Sequence, residues 1–169
     1  MLTNSRLISA AAAAVAAAAI TVTGVTAASA TPRSQPAVSG TEHVQIMSTA
    51  RASKTASAIA YGVFTAGGTA KLGSSRVGTI AFPGGTIKLS HHARTGTMHF
   101  SPKTCLTRIS QAGTYKITRG TGKYAGITGH GTYQLRFTFI AARRAGKCSP
   151  AGPPAARQEL LRLSGPVHL

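Results

Sequence analysis

The sequence predicts an all-β protein, a barrel or sandwich of short antiparallel strands. Three observations carry this. From residue 132 the chain alternates: Tyr133, Leu135, Phe137 and Phe139 fall on one side, Thr132, Gln134, Arg136 and Thr138 on the other. Successive side chains of a strand point to opposite faces, so this is one apolar and one wet face; a helix would scatter the four apolar residues. Just before it, Gly120, Gly122, Gly126, Gly129 and Gly131 crowd a short interval. Glycine marks tight turns, bulges and the sharp bends at barrel corners. The rest of the chain offers short strand patterns at regular spacing and no convincing amphipathic helix.

Taken in order, residues 1–30 read as a signal peptide. Arg6 supplies the positive start, residues 7–25 are apolar and alanine-rich, and Ala28-Ser29-Ala30 fits a signal-peptidase site. Thr21, Thr23 and Gly24 interrupt the apolar run and argue against a membrane span. The expectation is an exported, extracellular protein that starts at Thr31. Residues 31–40, with two prolines and small polar residues, read as a flexible lead-in. Residues 41–169 suit a single domain.

Within that domain Val44 and Ile46 alternate with His43, Gln45 and Met47 in a first strand. Ile59, Tyr61 and Val63 alternate with Ala58, Ala60 and Gly62 in a second, which Gly67-Gly68 is expected to end. Residues 73–76 read as a polar loop. Residues 77–82 form a third strand, turned by Pro83-Gly84-Gly85. Ile87 and Leu89 alternate with Lys88 and Ser90 in a fourth. Residues 96–100 and 105–110 are short candidates for a fifth. Tyr115 and Ile117 mark a sixth, and residues 131–141 the seventh. Residues 143–154 read as a loop. Residues 157–163 suit a helix or a strand, since Glu159, Leu160 and Leu161 favour helix.

The segment GTYKITRGTGKYAGITGHGTY resembles one shared by secreted bacterial proteins with an allene oxide cyclase barrel-like domain. YGVFTAGGT, FPGGTIKLSHH, SPKTCLTRISQAGTY, GKCSPAGPP and SGPVHL resemble the same small actinobacterial family, and together they cover most of the chain after the leader. Plant dirigent proteins and allene oxide cyclases are similar in fold. The resemblance implies an eight-stranded antiparallel β-barrel, with residues 157–169 as its last strand, and no single activity. The plant enzymes use acidic or amide side chains with Tyr and Arg inside the barrel.

Composition limits the chemistry. There is no aspartate, the only acids are Glu42 and Glu159, and the one asparagine, Asn4, lies in the leader. A Ser-His-Asp triad is excluded, and paired-carboxylate hydrolysis would need both glutamates to converge. Calcium loops lack their ligands. The weak catalytic candidates are therefore Glu42 or Glu159 beside Tyr61, Tyr115 or an arginine. Gly120-Thr-Gly122 has the look of a phosphate-cradling loop, but such a loop opens a helix and a strand is expected here. His91 and His92 point to opposite faces of a strand. Either, with His99 across a hairpin, is a weak metal candidate, though zinc wants three or four ligands. No cofactor is indicated. Cys105 and Cys148, an even pair in an exported chain, predict one disulfide closing a loop of about forty residues.

The formal net charge is +17, and only Arg6 of the 19 basic residues leaves with the leader. Such a field favours anionic polymers and cell surfaces without sequence specificity. Arg143, Arg144 and Lys147 form the one real cluster. Tryptophan is absent and the other aromatics fit strand cores, so nothing supports specific nucleic-acid binding. The leading expectation is a secreted, non-enzymatic barrel that holds a small apolar ligand. The alternatives are a cationic surface protein that binds anionic polymers and an isomerase of the allene oxide cyclase type.

Overall fold

The structure is a computed structural model that describes residues 37–49, 55–72, 76–149 and 152–169. The signal peptide expected over 1–30 lies outside the described residues, as does most of the lead-in.

Eight strands close into an antiparallel barrel. They are β1 (Ser39–Ser48), β2 (Thr55–Tyr61), β3 (Ala66–Leu72), β4 (Val77–Phe82), β5 (Gly85–Ser101), β6 (Leu106–Gly120), β7 (Thr128–Ile140) and β10 (Ala156–His168). Around the ring the order is β1, β10, β7, β6, β5, β4, β3, β2. Closure removes the open sheet edges that promote aggregation. Residues 157–163 are strand, paired to β7 on one side and β1 on the other. The barrel begins at Ser39, inside the expected lead-in.

Three expectations about the strands are corrected. Gly67-Gly68 does not end a strand; it lies within β3, paired to Ile59 and Ala58 of β2. A Cβ on Gly68 would lie 2.1 Å from the Ala81 carbonyl oxygen and 2.7 Å from the Phe82 ring, so the Phe82 side chain occupies the space over it. Residues 96–100 do not form a separate strand but continue β5, and residues 106–110 continue β6. The β5–β6 register shifts between Ala93 and Thr95, and one unpaired residue there breaks the period of two. The expected loop 143–154 contains a small hairpin, β8 (Ala142–Arg144) and β9 (Lys147–Ser149).

The interior follows from parity. Glu42, Val44, Ile46 and Ser48 of β1 share a face, and their partners in β2 are alanines: Ala60 opposite Val44, Ala58 opposite Ile46. Ala56, Ala58, Ala60 and Ala70 are buried, whereas Ile59 and Tyr61 point to solvent. Small residues on β2 and β3 leave room for the large ones opposite. Small barrels commonly fill their taper this way.

One end of the barrel is plugged. The chain after β2 tucks Phe64 under the barrel, where it meets Phe82 and Tyr124 with ring centroids 5.6 and 5.0 Å away. Tyr124 comes from a single 3-10 turn, Gly122–Tyr124. Above this base, Ile80, Ile87, Tyr115, Ile117 and Val167 fill the lumen so tightly that only about 20 Å³ stays empty.

The long strands outrun the short ones. β4 pairs with β5 only as far as Ser90, and β1 pairs with β10 only from Glu159 onward. Beyond those points β10, β7, β6 and β5 continue as a four-stranded flange. The Cys105–Cys148 disulfide ties the β8–β9 hairpin to the turn between β5 and β6, with Cα atoms 5.3 Å apart.

Candidate functional site

At the mouth of the barrel, where β1 to β4 stop and the flange begins, the packed lumen opens into a cup of about 250 Å³. Its wall is mostly leucine. Leu89 comes from β5, Leu135 from β7, Leu161 and Leu163 from β10, with Val77 and Gly78 of β4 closing the side. The leucines and Gly78 lie on the inward parity of their strands, and Val77, on the outer parity and exposed, borders the rim where β4 begins. Four polar side chains interrupt the wall: His91, Gln111, Tyr133 and Glu159. A mostly apolar concavity with a few convergent polar groups is the usual form of a small-molecule site.

Tyr133 forms the floor on this side. Its ring is buried, packed at 5.6 Å from the His91 ring, and its hydroxyl donates to Gln111 Oε1 at 3.1 Å. A Cβ on Gly113 would lie 2.7 Å from that ring and 2.1 Å from the His92 carbonyl, so only glycine leaves the tyrosine its place. Burial raises the Tyr133 pKa and keeps the hydroxyl a donor. Burial first, and then the Arg76 charge, lower the His91 pKa below its usual value of 6.5. His91 is thus neutral at pH 7; its Nδ1–H donates to the Arg76 carbonyl oxygen at 3.5 Å, which leaves Nε2 as an acceptor.

Glu159 stands at the rim. Its Oε2 accepts from Arg157 Nη2 at 3.2 Å, and the Arg157 guanidinium lies over the Phe137 ring at 5.2 Å. The second acid is elsewhere. Glu42 is 3 % exposed at the plugged end, with Oε2 accepting from the Phe64 backbone amide at 3.1 Å and Oε1 without a protein partner. Desolvation raises its pKa, against the pull of the backbone amides of Phe64, Val63 and Tyr61. Tyr115 points inward near it and is likewise raised, by burial and by the Glu42 charge. Glu42 and Tyr115 thus share the packed base, not the cup, and no space for a substrate adjoins them.

The other expected site residues fall apart. Tyr61 is 51 % exposed on the outer wall, stacked on His43 at 5.0 Å, and cannot serve the lumen. His91 faces the cup while His92 is exposed on the other face of β5. His99 is not across a hairpin from either. It lies farther along the same strand, on the order of 20 Å away at the usual rise. Among the described residues no three His, Cys, Asp or Glu converge to hold a metal ion. Arg143, Arg144 and Lys147 do sit together on the β8–β9 hairpin; Arg143 turns back to donate to the carbonyls of Lys103 and Gly146.

His91, Glu159 and Tyr115 were recognisable candidates, but Gln111 and Tyr133 as polar members of a cup were not. Tyr133 read as core, which it also is. Gln111 lies on the inward parity of a strand whose bulged partner hid the pattern. No helix among the described residues is long and apolar enough to cross a membrane. No family model, curated protein or solved structure matches the chain.

Proposed function

We propose that this chain is an exported, non-enzymatic barrel that carries a small, mainly apolar ligand in the cup at its mouth. The observation that carries this reading is the contrast along the barrel axis. The base is packed to a residual 20 Å³, and the mouth keeps about 250 Å³ behind leucine walls. That space equals about eight water molecules, so it suits a compact ring or short-chain molecule. His91, Gln111 and Tyr133 offer hydrogen bonds to one polar group on it. Export rests on the leader-like residues 1–30, and the sequence resemblance to secreted barrel proteins supports the same reading.

Native mass spectrometry of the protein from culture medium tests this. The expected result is a 1:1 complex with a small organic molecule that organic extraction removes. A protein that is always ligand-free, and that takes up no apolar molecule when offered a panel, would overturn it.

One observation favours a second reading, an isomerase. Glu159 and Arg157 form an ion pair at the rim of the cup that His91 also lines. A carboxylate within reach of a bound ligand is able to move a proton. Glu159→Gln separates the two readings: a carrier keeps its ligand unchanged, and an isomerase loses turnover while still binding. The polyanion reading has less support along the wall, since exposed Lys71, Lys88, Lys116, Arg136 and Arg162 encircle the barrel without making one basic face.

A further inference from the structure

The distal end of the flange combines two features. The first is exposed apolar surface. On the concave side of β5, Met98 is 69 % and Phe100 is 52 % exposed. The register sets Met98 in a row with Ile109 and Phe137, and Phe100 in a row with Thr107 and Phe139. Met98, Phe100, Phe139 and Pro154 border a shallow hollow of about 470 Å³ that is separate from the cup. Apolar residues clustered in this way mark a binding surface more often than an accident of sequence. The second feature is charge. Lys103 in the β5–β6 turn and Arg144 and Lys147 on the β8–β9 hairpin are exposed beside the hollow, and the disulfide holds hairpin and turn together. The one nearby acid, Glu159, is paired with Arg157.

We propose that this end of the barrel docks on an anionic lipid surface, with Met98 and Phe100 entering the headgroup–acyl boundary and Lys103, Arg144 and Lys147 meeting lipid phosphates. Charge complementarity selects the occupant. A second copy of the exported chain would bring its own +16 charge, the formal +17 less Arg6 of the leader, against the first. A wholly polar polyanion would satisfy the lysines and arginines but leave Met98 and Phe100 in water. An anionic bilayer buries the apolar residues and neutralises the basic ones together, the combination that holds interfacial proteins. The disulfide gives the arrangement rigidity: the basic hairpin cannot drift from the apolar tip. The cup and its ligand play no part in this docking, so either proposal can fail alone.

The test is co-sedimentation of the exported chain with vesicles of phosphatidylcholine alone or with one quarter phosphatidylglycerol. Binding is expected only with phosphatidylglycerol. Met98→Ser with Phe100→Ser should weaken it on the order of tenfold or more, from the apolar area no longer buried. Both residues are exposed, so the double variant should keep its urea midpoint. Arg144→Gln with Lys147→Gln should weaken binding as well, and to a degree that shrinks as salt rises. Absence of binding to phosphatidylglycerol vesicles would overturn the proposal. So would binding indifferent to the Met98 and Phe100 changes, which would show mere adsorption of a cation and return the surface to soluble polyanions. Self-association lost in the same double variant would assign the surface to a second copy instead.

Discussion

Tyr133 donates its hydroxyl to Gln111 Oε1 at 3.1 Å, across the β6–β7 ladder, at the level where the packed barrel gives way to the open cup. Toward the base, Tyr133 meets the packed core through Leu163 and Val44, both on its own level of the registers. Toward the mouth, Gln111 and Leu135 face open space. The pair separates the part of the molecule that holds it together from the part that is free to bind.

Burial predicts unequal costs for inward residues at the two ends of the barrel and for a residue on its outer wall. Phe82→Ala, in the plug against Phe64 and Tyr124, should cost about 3–5 kcal/mol. Phe137→Ala, on the same parity as Tyr133 but out on the flange, should cost roughly 2 kcal/mol because its ring is only half-buried. Arg136→Ala, on the outer wall, should shift stability by about half a kcal/mol. Urea melts of the three variants give the ranking. Arg136→Ala as the most damaging would invert the assigned faces.

Glu42 predicts a pH dependence of definite sign. Its folded pKa lies above the usual 4.5 because burial penalises the charge. The folded state therefore holds the proton more tightly than the unfolded chain, and stability falls as pH rises from that value through the raised one. Glu42→Gln removes this loss. The variant should gain on the parent as pH climbs above 4.5, and the two should converge in relative terms below it. Chemical denaturation at several pH values checks this; a gap independent of pH would mean that Glu42 is not strained by burial.

The same physics explains what the sequence could and could not disclose. β7 was legible over residues 132–139 because each inward residue there is large and each outward one polar, so hydropathy and geometry agree. β2 was legible as a strand but not in its facing, and β3 was not legible, because the inward positions are Ala56, Ala58, Ala60 and Gly68 and the outward ones include Ile59 and Tyr61. In a tapered interior the space is claimed by the larger partner, and a hydropathy pattern cannot say which strand yields. β5 was split because the register shift between Ala93 and Thr95 reverses parity midway. The cup was hidden for a related reason. It exists because β5, β6, β7 and β10 are longer than their neighbours, and relative strand length emerges only when the ring closes.

The Cys105–Cys148 bond closes a loop with a sequence separation of 43 that contains β6 and β7. Replacing both cysteines by alanine should cost about 2–4 kcal/mol, the usual range for such a loop. The barrel should still form, since no other cross-strand partner is lost. Urea midpoints of the parent and the double variant measure the cost; equal midpoints would show that the unfolded chain gains nothing from release.

Binding in the cup is the central claim, and titration with a neutral fluorescent probe, N-phenyl-1-naphthylamine, tests it most directly. The parent should bind one equivalent saturably. Leu135→Trp and, independently, Gly78→Leu should each abolish binding by filling the cup, while urea midpoints confirm that both variants fold. Met98→Ser with Phe100→Ser should leave it unchanged, because those residues border the separate distal hollow. Undiminished binding in both filled variants, or a parent that never saturates, would contradict the account and leave the cup without a ligand.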